Sequence, residues 1–360
     1  VDLKYKNKEV IFMANGNFGG GDGTKLNPYL VEDAQDLWAV RNNLSAHYKQ
    51  TADIDLNVYS TGEGWIPIGQ ATVEFTGVYD GDNYEIRNLW SASLAGHGGL
   101  FGRANGAKFK NINLRNVIIV SATENYMGGL VGYAENMTED SIYNCHVSGV
   151  VNESNSSKTH IGGVVGYCSG SGVSINKCSF EGIIKSSQYG LGYIGGICGH
   201  CNTSIKNSYS LGNIVAPSVN YLGGLCGLLY NNNVCSYSYS LVNINEGLNA
   251  DARYVGGLIG GIGSNSRVLK SWARGSVSGS SQVGGFIGLN QGSIVDCYST
   301  GFVVGNTGVG GFCGSNNGSI INSVWDTETS GQTTSSGGIG KTTAEMKNKQ
   351  TYIDLGWSIT

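Results

Sequence analysis

The sequence predicts an all-β chain, a parallel β-helix or β-solenoid closed by short helical caps. Two observations carry this reading. The phrase Gly-Gly-apolar-apolar-Gly begins at Gly98 and returns at Gly128, Gly162, Gly195, Gly223, Gly256, Gly284 and Gly310, in steps of 30, 34, 33, 28, 33, 28 and 26 residues. Self-similarity at such a period marks stacked coils, each burying its apolar side only against its neighbours. Between the copies runs a second half in which one alternating set is small or apolar and the other polar, as a half-buried strand requires.

Composition agrees. The chain has 360 residues, 40% hydrophobic and only 13% charged, with 58 glycines. Length alone suggests two or three globular domains, but a solenoid escapes that prior because its core grows with each repeat. The glycines recur at fixed places among many Tyr, Ile and Val, which reads as order. The net charge is −4 without a run of Lys or Arg, so neither nucleic acid nor an anionic membrane is an expected partner. No stretch approaches the ~18 consecutive apolar residues of a spanning helix. Val1 opens without an initiator Met, so a mature or trimmed chain with its signal peptide removed is expected.

Three sections follow: a capping section with irregular first coils over 1–95, the repeats over 96–326, and a C-terminal cap over 327–360. Val10-Ile11-Phe12-Met13 offers a first strand, and Gly19 to Gly23 a loop that ends at Asn27-Pro28. From Glu32 to Leu44, Ala34, Leu37, Trp38, Arg41 and Leu44 fall at helical spacing, so a short amphipathic helix covers the open end of the stack. Ala52 to Leu56 alternates as a strand. Trp65 to Gly69 follows, and Phe75 to Leu89 reads as strand, Asp-Gly turn, strand.

In the repeats, Cys297, Ser299, Gly301 and Val303 are taken as inward, and the same register gives Cys145, Val147, Gly149 and Val151, then Cys178, Phe180, Gly182 and Ile184. It continues as Ser208, Ser210, Gly212, Ile214 and as Ser271, Ala273, Gly275, Val277. The outward set holds Ser148, Glu181, Asn213, Asn243, Arg274 and Thr300. The glycine phrase differs, because in Met127 to Gly132 both alternating sets are apolar. Such a stretch is either buried on both faces or bends in its middle. In the tail, Thr342-Thr343-Ala344-Glu345 is a capping box opening a short helix through about Lys349. Tyr352, Leu355 and Trp357 then cover the last coil.

Residues 284–305, GGFIGLNQGSIVDCYSTGFVVG, resemble the GLUG motif closely, and 310–346 resemble the ending of such arrays. GDGTKLNPYLVEDAQDLWAVRNN and WIPIGQ with FTGVYDGDNYEIRNLW look like their usual lead-in. The chain is thereby similar to GLUG-repeat proteins of the kind often named immunoglobulin A peptidase-like surface proteins. The resemblance implies a bacterial, extracellular β-solenoid of right-handed type. It does not imply proteolysis.

The nine cysteines are an odd number, which argues against a fully paired disulfide framework. Cys145, Cys178 and Cys297 share a repeat position with Ser208, Ser238 and Ser271; Cys198, Cys226 and Cys313 share one with Val131, Val165, Ile259 and Ile287. Small buried residues interchange this way. Cys145/Cys178 and Cys168/Cys201 fall on neighbouring coils about 4.8 Å apart, within disulfide range but poorly aimed.

A metallopeptidase needs His-Glu-x-x-His, and none of His47, His97, His146, His160 and His200 begins that motif. Cys198-Gly-His-Cys201 has redox or zinc spacing but lacks a helix N-terminus and further ligands. Gly340-Lys341-Thr342 echoes the end of a phosphate loop without its first glycine. Asp80 to Asn83 with Glu85 offers oxygens of the kind calcium takes, and Asp-Gly is equally a common turn. A polysaccharide-cleaving enzyme needs two carboxylates on one face, or a basic residue beside bound calcium, and the outward Glu181, Asp296 and Arg274 lie in different repeats without converging. No cofactor, metal or catalytic residue is expected.

The candidate ligand-binding residues are Tyr209, Tyr239, Trp272 and Tyr298, which follow the Cys/Ser position in four successive repeats. In-register stacking makes them one aromatic stripe, suited to sugars or a partner protein, or to stacking on itself. The expected function is a non-catalytic, adhesin-like structural and binding module, monomeric, with a host glycoprotein, glycan or neighbouring domain as partner. The alternatives are a glycan-active β-helix enzyme, or the accessory region of an immunoglobulin A metallopeptidase whose catalytic domain lies elsewhere.

Overall fold

The computed structural model describes residues 18–358 apart from 71, 93–95, 122–124, 154–158, 188 and 249, so the expected strand at Val10 to Met13 lies outside the described residues. Each repeat from His97 onward contributes to three sheets that run along the stack, one of 23 strands and two of eight, and the earlier coils place their strands in the longest. Neighbouring coils pair in parallel, as in Tyr126 opposite His160, Val131 opposite Val165 and His146 opposite Ser179. The chain is a parallel β-solenoid, and one hydrophobic core runs from Val31 to Trp325.

The glycine phrase bends. Strand Tyr126–Gly128 ends at the pair, Gly129 and Leu130 turn the corner, and Val131–Met137 leaves in the other eight-stranded sheet. Met127, Leu130 and Val131 are all fully buried because two short strands meet the core from two directions. The ladder does not break at the corner: the Gly129 amide donates to Gly163 O at 3.0 Å and that of Leu130 to Val164 O at 3.0 Å. A Cβ on Gly128 would collide with the carbonyl oxygens of Val131 and of Val164 in the next coil, so only glycine lets the coils approach this closely.

The long sheet has its own corner. Asn111, Asn144, Lys177, Asn207, Tyr237, Lys270, Asp296 and Asn322 hold the same place in successive coils with φ between 47° and 55°. Asn tolerates that conformation best among residues with a side chain, and Asn144 Nδ2 donates to Asn111 Oδ1 at 3.0 Å. The next residue turns inward: Cys145, Cys178, Ser208, Ser238, Ser271, Cys297 and Ser323 are all buried.

Here Ser and Cys do one job. Ser238 Oγ donates to Ser236 O at 2.9 Å, and Cys297 Sγ to Val295 O at 3.2 Å, each to the carbonyl two residues back. The serines do a second. Ser238 Oγ accepts the Ser208 amide at 3.1 Å, and Ser271 Oγ that of Ser238 at 3.2 Å. These ties pair buried backbone donors that would otherwise be costly. The inward set beyond this rung is Ser210, Ala273, Val147, Phe180 and their counterparts, all buried, while Glu181 and Arg274 are exposed.

The N-terminal helix is shorter than its spacing suggests. It spans Ala34–Ala39, followed by a 3-10 turn over Val40–Asn42. Asp33 begins it, its carboxylate accepting the amides of Gln35 and Asp36 at 2.8 and 2.9 Å, so Glu32 lies outside; Leu44 lies beyond the turn. Leu37 and Val40 are buried, and the Arg41 guanidinium sits 3.6 Å over Trp38.

Ala52 to Leu56 keeps its alternation, with Ile54 and Leu56 buried, but only Ile54–Asp55 is strand. Val78–Asp80 and Glu85–Arg87 do not pair with each other as a hairpin. Each finds parallel partners in the coils on either side, His47–Gln50 or Ile54–Asp55 before and Lys108–Ser121 after. Asp82 and Asn83, both at positive φ, turn the coil between them.

At the far end the capping box forms at Thr342 and Glu345, opening a helix over Thr343–Met346 that stops at Lys347. A second helix, Lys349–Asp354, follows with Asn348 as its cap. Thr343 Oγ1 donates to Asp326 Oδ2 at 2.7 Å and Trp357 Nε1 to Asn322 O at 2.6 Å, which fastens the cap to the last coil.

Ser238→Ala removes the acceptor for the buried Ser208 amide. It is expected to lower stability by about 1–3 kcal/mol, read as a lower denaturant midpoint. Ser238→Cys keeps the bond to the carbonyl two residues back and should lose less. An alanine variant as stable as the parent would contradict this account of the rung.

Candidate functional site

The residue after the Cys/Ser rung faces outward and forms one register column: Asn113, His146, Ser179, Tyr209, Tyr239, Trp272, Tyr298. Its last four members are the predicted stripe, and they stack in register. Ring centroids lie 5.0, 4.3 and 5.8 Å apart with planes 5°, 3° and 10° from parallel. Near-parallel rings this close cannot lie edge to edge in one plane, so each face covers the next in an offset stack. Within the stack only ring edges reach solvent. Open faces occur at its ends.

At the C-terminal end, Trp272 and Tyr298 border a hollow of about 130 Å³ with Lys270, Asp296 and Trp357. Trp357 of the cap partly covers it.

The N-terminal end is roomier. Tyr209 looks across the small Ser179 toward His146, into a hollow of about 310 Å³ lined also by Asn113, Arg115, Ser148 and Glu181. His146 is held from both ring nitrogens, Nδ1 to Ser179 Oγ at 2.7 Å and Nε2 to Asn144 Oδ1 at 3.2 Å. Burial, then Arg115, lowers its pKa, so the ring stays neutral at neutral pH. Arg115 reaches Glu85 at 3.7 Å, while exposed Glu181 makes no hydrogen bond or ion pair with any described residue.

A second aromatic surface escaped the sequence reading. Two columns flank the glycine bend. One holds His97, Tyr126, His160, Tyr193, Tyr221 and Tyr254; the other holds Arg103, Tyr133, Tyr167 and His200. The bend brings them together: Tyr126 lies 4.9 Å from Tyr133, and His160 stacks on His200 at 5.5 Å and 9°. Arg103 closes one end, paired with Glu74 and Glu135 and lying 4.8 Å over Tyr133. The signal was in the flanks of the repeated phrase, YMGGLVGY and HIGGVVGY, where a ring stands on both sides of the glycines. Burial lowers the pKa of His97 and His200, and burial with His200 nearby brings His160 to about 4.

The other motifs resolve into structure. All nine cysteines are buried free thiols. Cys198 and Cys201 lie in one strand, with no helix N-terminus, and each bonds a carbonyl two residues on. Burial pushes the Cys235 and Cys313 thiols up to about 12 and those of Cys145, Cys168 and Cys297 upward as well.

Around Asp80 each carboxylate already has a cation. Asp80 meets Lys110 at 2.8 Å, Asp82 meets Lys49 at 3.1 Å, and Glu85 meets Arg87 at 3.0 Å. Among the described residues no group of three or more His, Cys, Asp or Glu is placed to hold a metal, and no helix is long and apolar enough to cross a membrane.

Residues 123–152 and 279–304 match the family model described as the GLUG motif. A protein described as a Gly-rich membrane protein in Evansella cellulosilytica is 43% identical over 90 residues, 24% of this chain and 10% of that protein. Immunoglobulin A1 protease of Streptococcus sanguinis is 25% identical over 253 residues, 70% of this chain and 11% of that protein. A solved IgA1 protease structure covers 81% of this chain at 19% identity with a TM-score of 0.48, the chain spanning 21% of it. The chain thus spans about a tenth of the length of these two sequence relatives.

Two outcomes follow from the buried groups. In native protein the thiols should react slowly with an aromatic disulfide reagent, and all nine should react at once in denaturant. A fast-reacting native thiol would contradict the burial. For His160 the folded pKa, about 4, lies below the ordinary value of 6.5. The unfolded chain therefore takes the proton first, and stability present above pH 6.5 drains away as pH falls toward 4. The loss at pH 4 is about 2–3 kcal/mol. His160→Tyr, which copies Tyr126 and Tyr193 in the same column, should flatten the melting temperature between pH 7 and 4. An unchanged slope would show that His160 is not the group responsible.

Proposed function

We infer function from what the chain is, a GLUG-repeat β-solenoid with a stretch similar to immunoglobulin A1 protease, and propose a non-catalytic, extracellular structural and binding module of a larger bacterial surface protein. The observation that carries the binding role is the open face of Tyr209 beside a polar hollow, on an otherwise self-satisfied column of rings. Parallel ladders on both sides hold that face in place, and a preorganised face loses little freedom on binding. The relatives support the setting: one is named as a membrane protein and another as an immunoglobulin A1 protease. The sequence holds no His-Glu-x-x-His, so we place metallopeptidase chemistry of that type in a domain outside this chain. In that arrangement the solenoid is an accessory region that presents or spaces its neighbours.

The test uses the whole chain on immobilised mucin and immunoglobulin A, native and deglycosylated, with turnover assays on both and on polysaccharides. Saturable binding without turnover is expected. Trp272→Ala, internal to the ring stack, should lower thermal stability more than binding. Cleavage of any of these substrates by the purified chain would overturn the non-catalytic reading, and absence of saturable binding to all of them would overturn the binding role.

A further inference from the structure

We propose that the gap in the outward column at Ser179 is a subsite for one uncharged pyranose unit of a glycan. The sugar lies on the open face of Tyr209, and Glu181, Asn113 and Arg115 take its hydroxyls. This deepens the binding role proposed above and rests on it.

The column itself gives the dimensions. Successive rungs are about 4.8 Å apart, and from Tyr209 to Tyr298 each rung is filled by a ring on the next. At Ser179 the side chain shrinks to a hydroxymethyl while both neighbours, His146 and Tyr209, are rings. Two rungs separate those neighbours, about 9.6 Å. The His146 ring leans toward Ser179, its Nδ1 2.7 Å from Ser179 Oγ, so the ring admitted lies against the Tyr209 face with contacts of about 4 Å. The hollow of about 310 Å³ sits at the lower limit of small-ligand pockets.

The chemistry of the walls selects the ring. One wall is the apolar face of Tyr209. The floor and rim are Ser179, Asn113, Ser148, Arg115 and Glu181. A second aromatic ring would stack on Tyr209 but would strip water from Glu181 and Arg115 without replacing its hydrogen bonds, which is costly. A pyranose offers an apolar C–H face and an edge of hydroxyls, and meets both walls. Glu181 has no partner among the described residues and is free to accept two hydroxyls. Asn113 spends Nδ2 on Asn83 O at 2.8 Å, and its amide oxygen remains an acceptor. Arg115 already lies 3.7 Å from Glu85, so Glu181 leaves the rim with an unbalanced negative charge, which favours a neutral sugar over an acidic one. The opposite end of the stack is less suited, being smaller and roofed by Trp357.

The experiment is saturation-transfer NMR and titration of the whole chain with methyl β-D-galactopyranoside and methyl β-D-glucopyranoside, against N-acetyltyrosinamide and methyl α-N-acetylneuraminide. A neutral glycoside should bind with a Kd of about 1–10 mM. Tyr209→Ala should weaken it about tenfold, and Glu181→Gln about threefold or more. Ser179→Tyr puts a ring in the gap at the cost of the Ser179 Oγ–His146 bond; its fold is checked by melting temperature, and the folded variant should lose the sugar signal. Glycoside binding retained by folded Ser179→Tyr, stronger binding of N-acetyltyrosinamide or of the acidic sugar, or no glycoside signal would overturn the subsite. If Ser179→Tyr still binds mucin or immunoglobulin A like the parent, the subsite falls while the wider binding role stands. If the parent binds neither glycoprotein nor glycoside, both fall.

Discussion

Parallel, in-register pairing between coils is the constraint on which the rest of this molecule depends. It places every side chain about 4.8 Å from its counterpart in the next coil, so each repeat position must tolerate its own kind as a neighbour. Glycines approach glycines at the bend, serine amides meet serine hydroxyls at the corner, and rings meet rings on the outer face. Register binds only the paired residues. The steps between copies can therefore range from 26 to 34 residues without disturbing the core, because the excess lies between rungs.

Two backbone devices let the pairing close into a coil. The first is the glycine bend, where close contact with the next coil's carbonyls forbids a Cβ. The second is the left-handed corner, which spends strain at one residue per coil and relieves it through the residue that follows. That residue is short, buried and able to donate to the carbonyl two positions back, a description that fits Ser and Cys equally. The interchange of the two along the stack is therefore a hydrogen-bonding equivalence. The thiols need no partner and no metal to account for their place, and burial raises the pKa of Cys235, Cys297 and Cys313.

What could be read from the sequence was whatever repeats with a fixed parity. Alternation identified the inward set, and alignment of copies placed Cys145, Ser238 and Cys297 on one buried rung. The capping box located the start of the C-terminal helix, because Thr342 and Glu345 satisfy each other locally, but not its early end at Met346. What could not be read depended on direction. An apolar run such as Met127 to Gly132 has the same composition whether it lies straight between two layers or turns a corner. Apparent hairpins at Asp80 to Glu85 become coil turns once parallel partners exist on both sides. The helix near Trp38 ends early because Val40–Asn42 tightens into a 3-10 turn, which helical spacing does not record. The second aromatic surface was missed because its two columns are eight positions or fewer apart in sequence yet belong to different sheets, and only the bend makes them one surface.

The same constraint says where such a molecule can bind anything. A position that repeats is satisfied by its own repetition: Tyr239 and Trp272 each have a ring stacked on both faces. Unused chemistry survives only where the repetition is interrupted. The outward column is interrupted once among its rings, where Ser179 follows His146 and precedes Tyr209, and there a ring face, a carboxylate and a guanidinium border one hollow. The stripe that marks the repeat is thus stacked on itself, and the break in it is the place of the subsite proposed above.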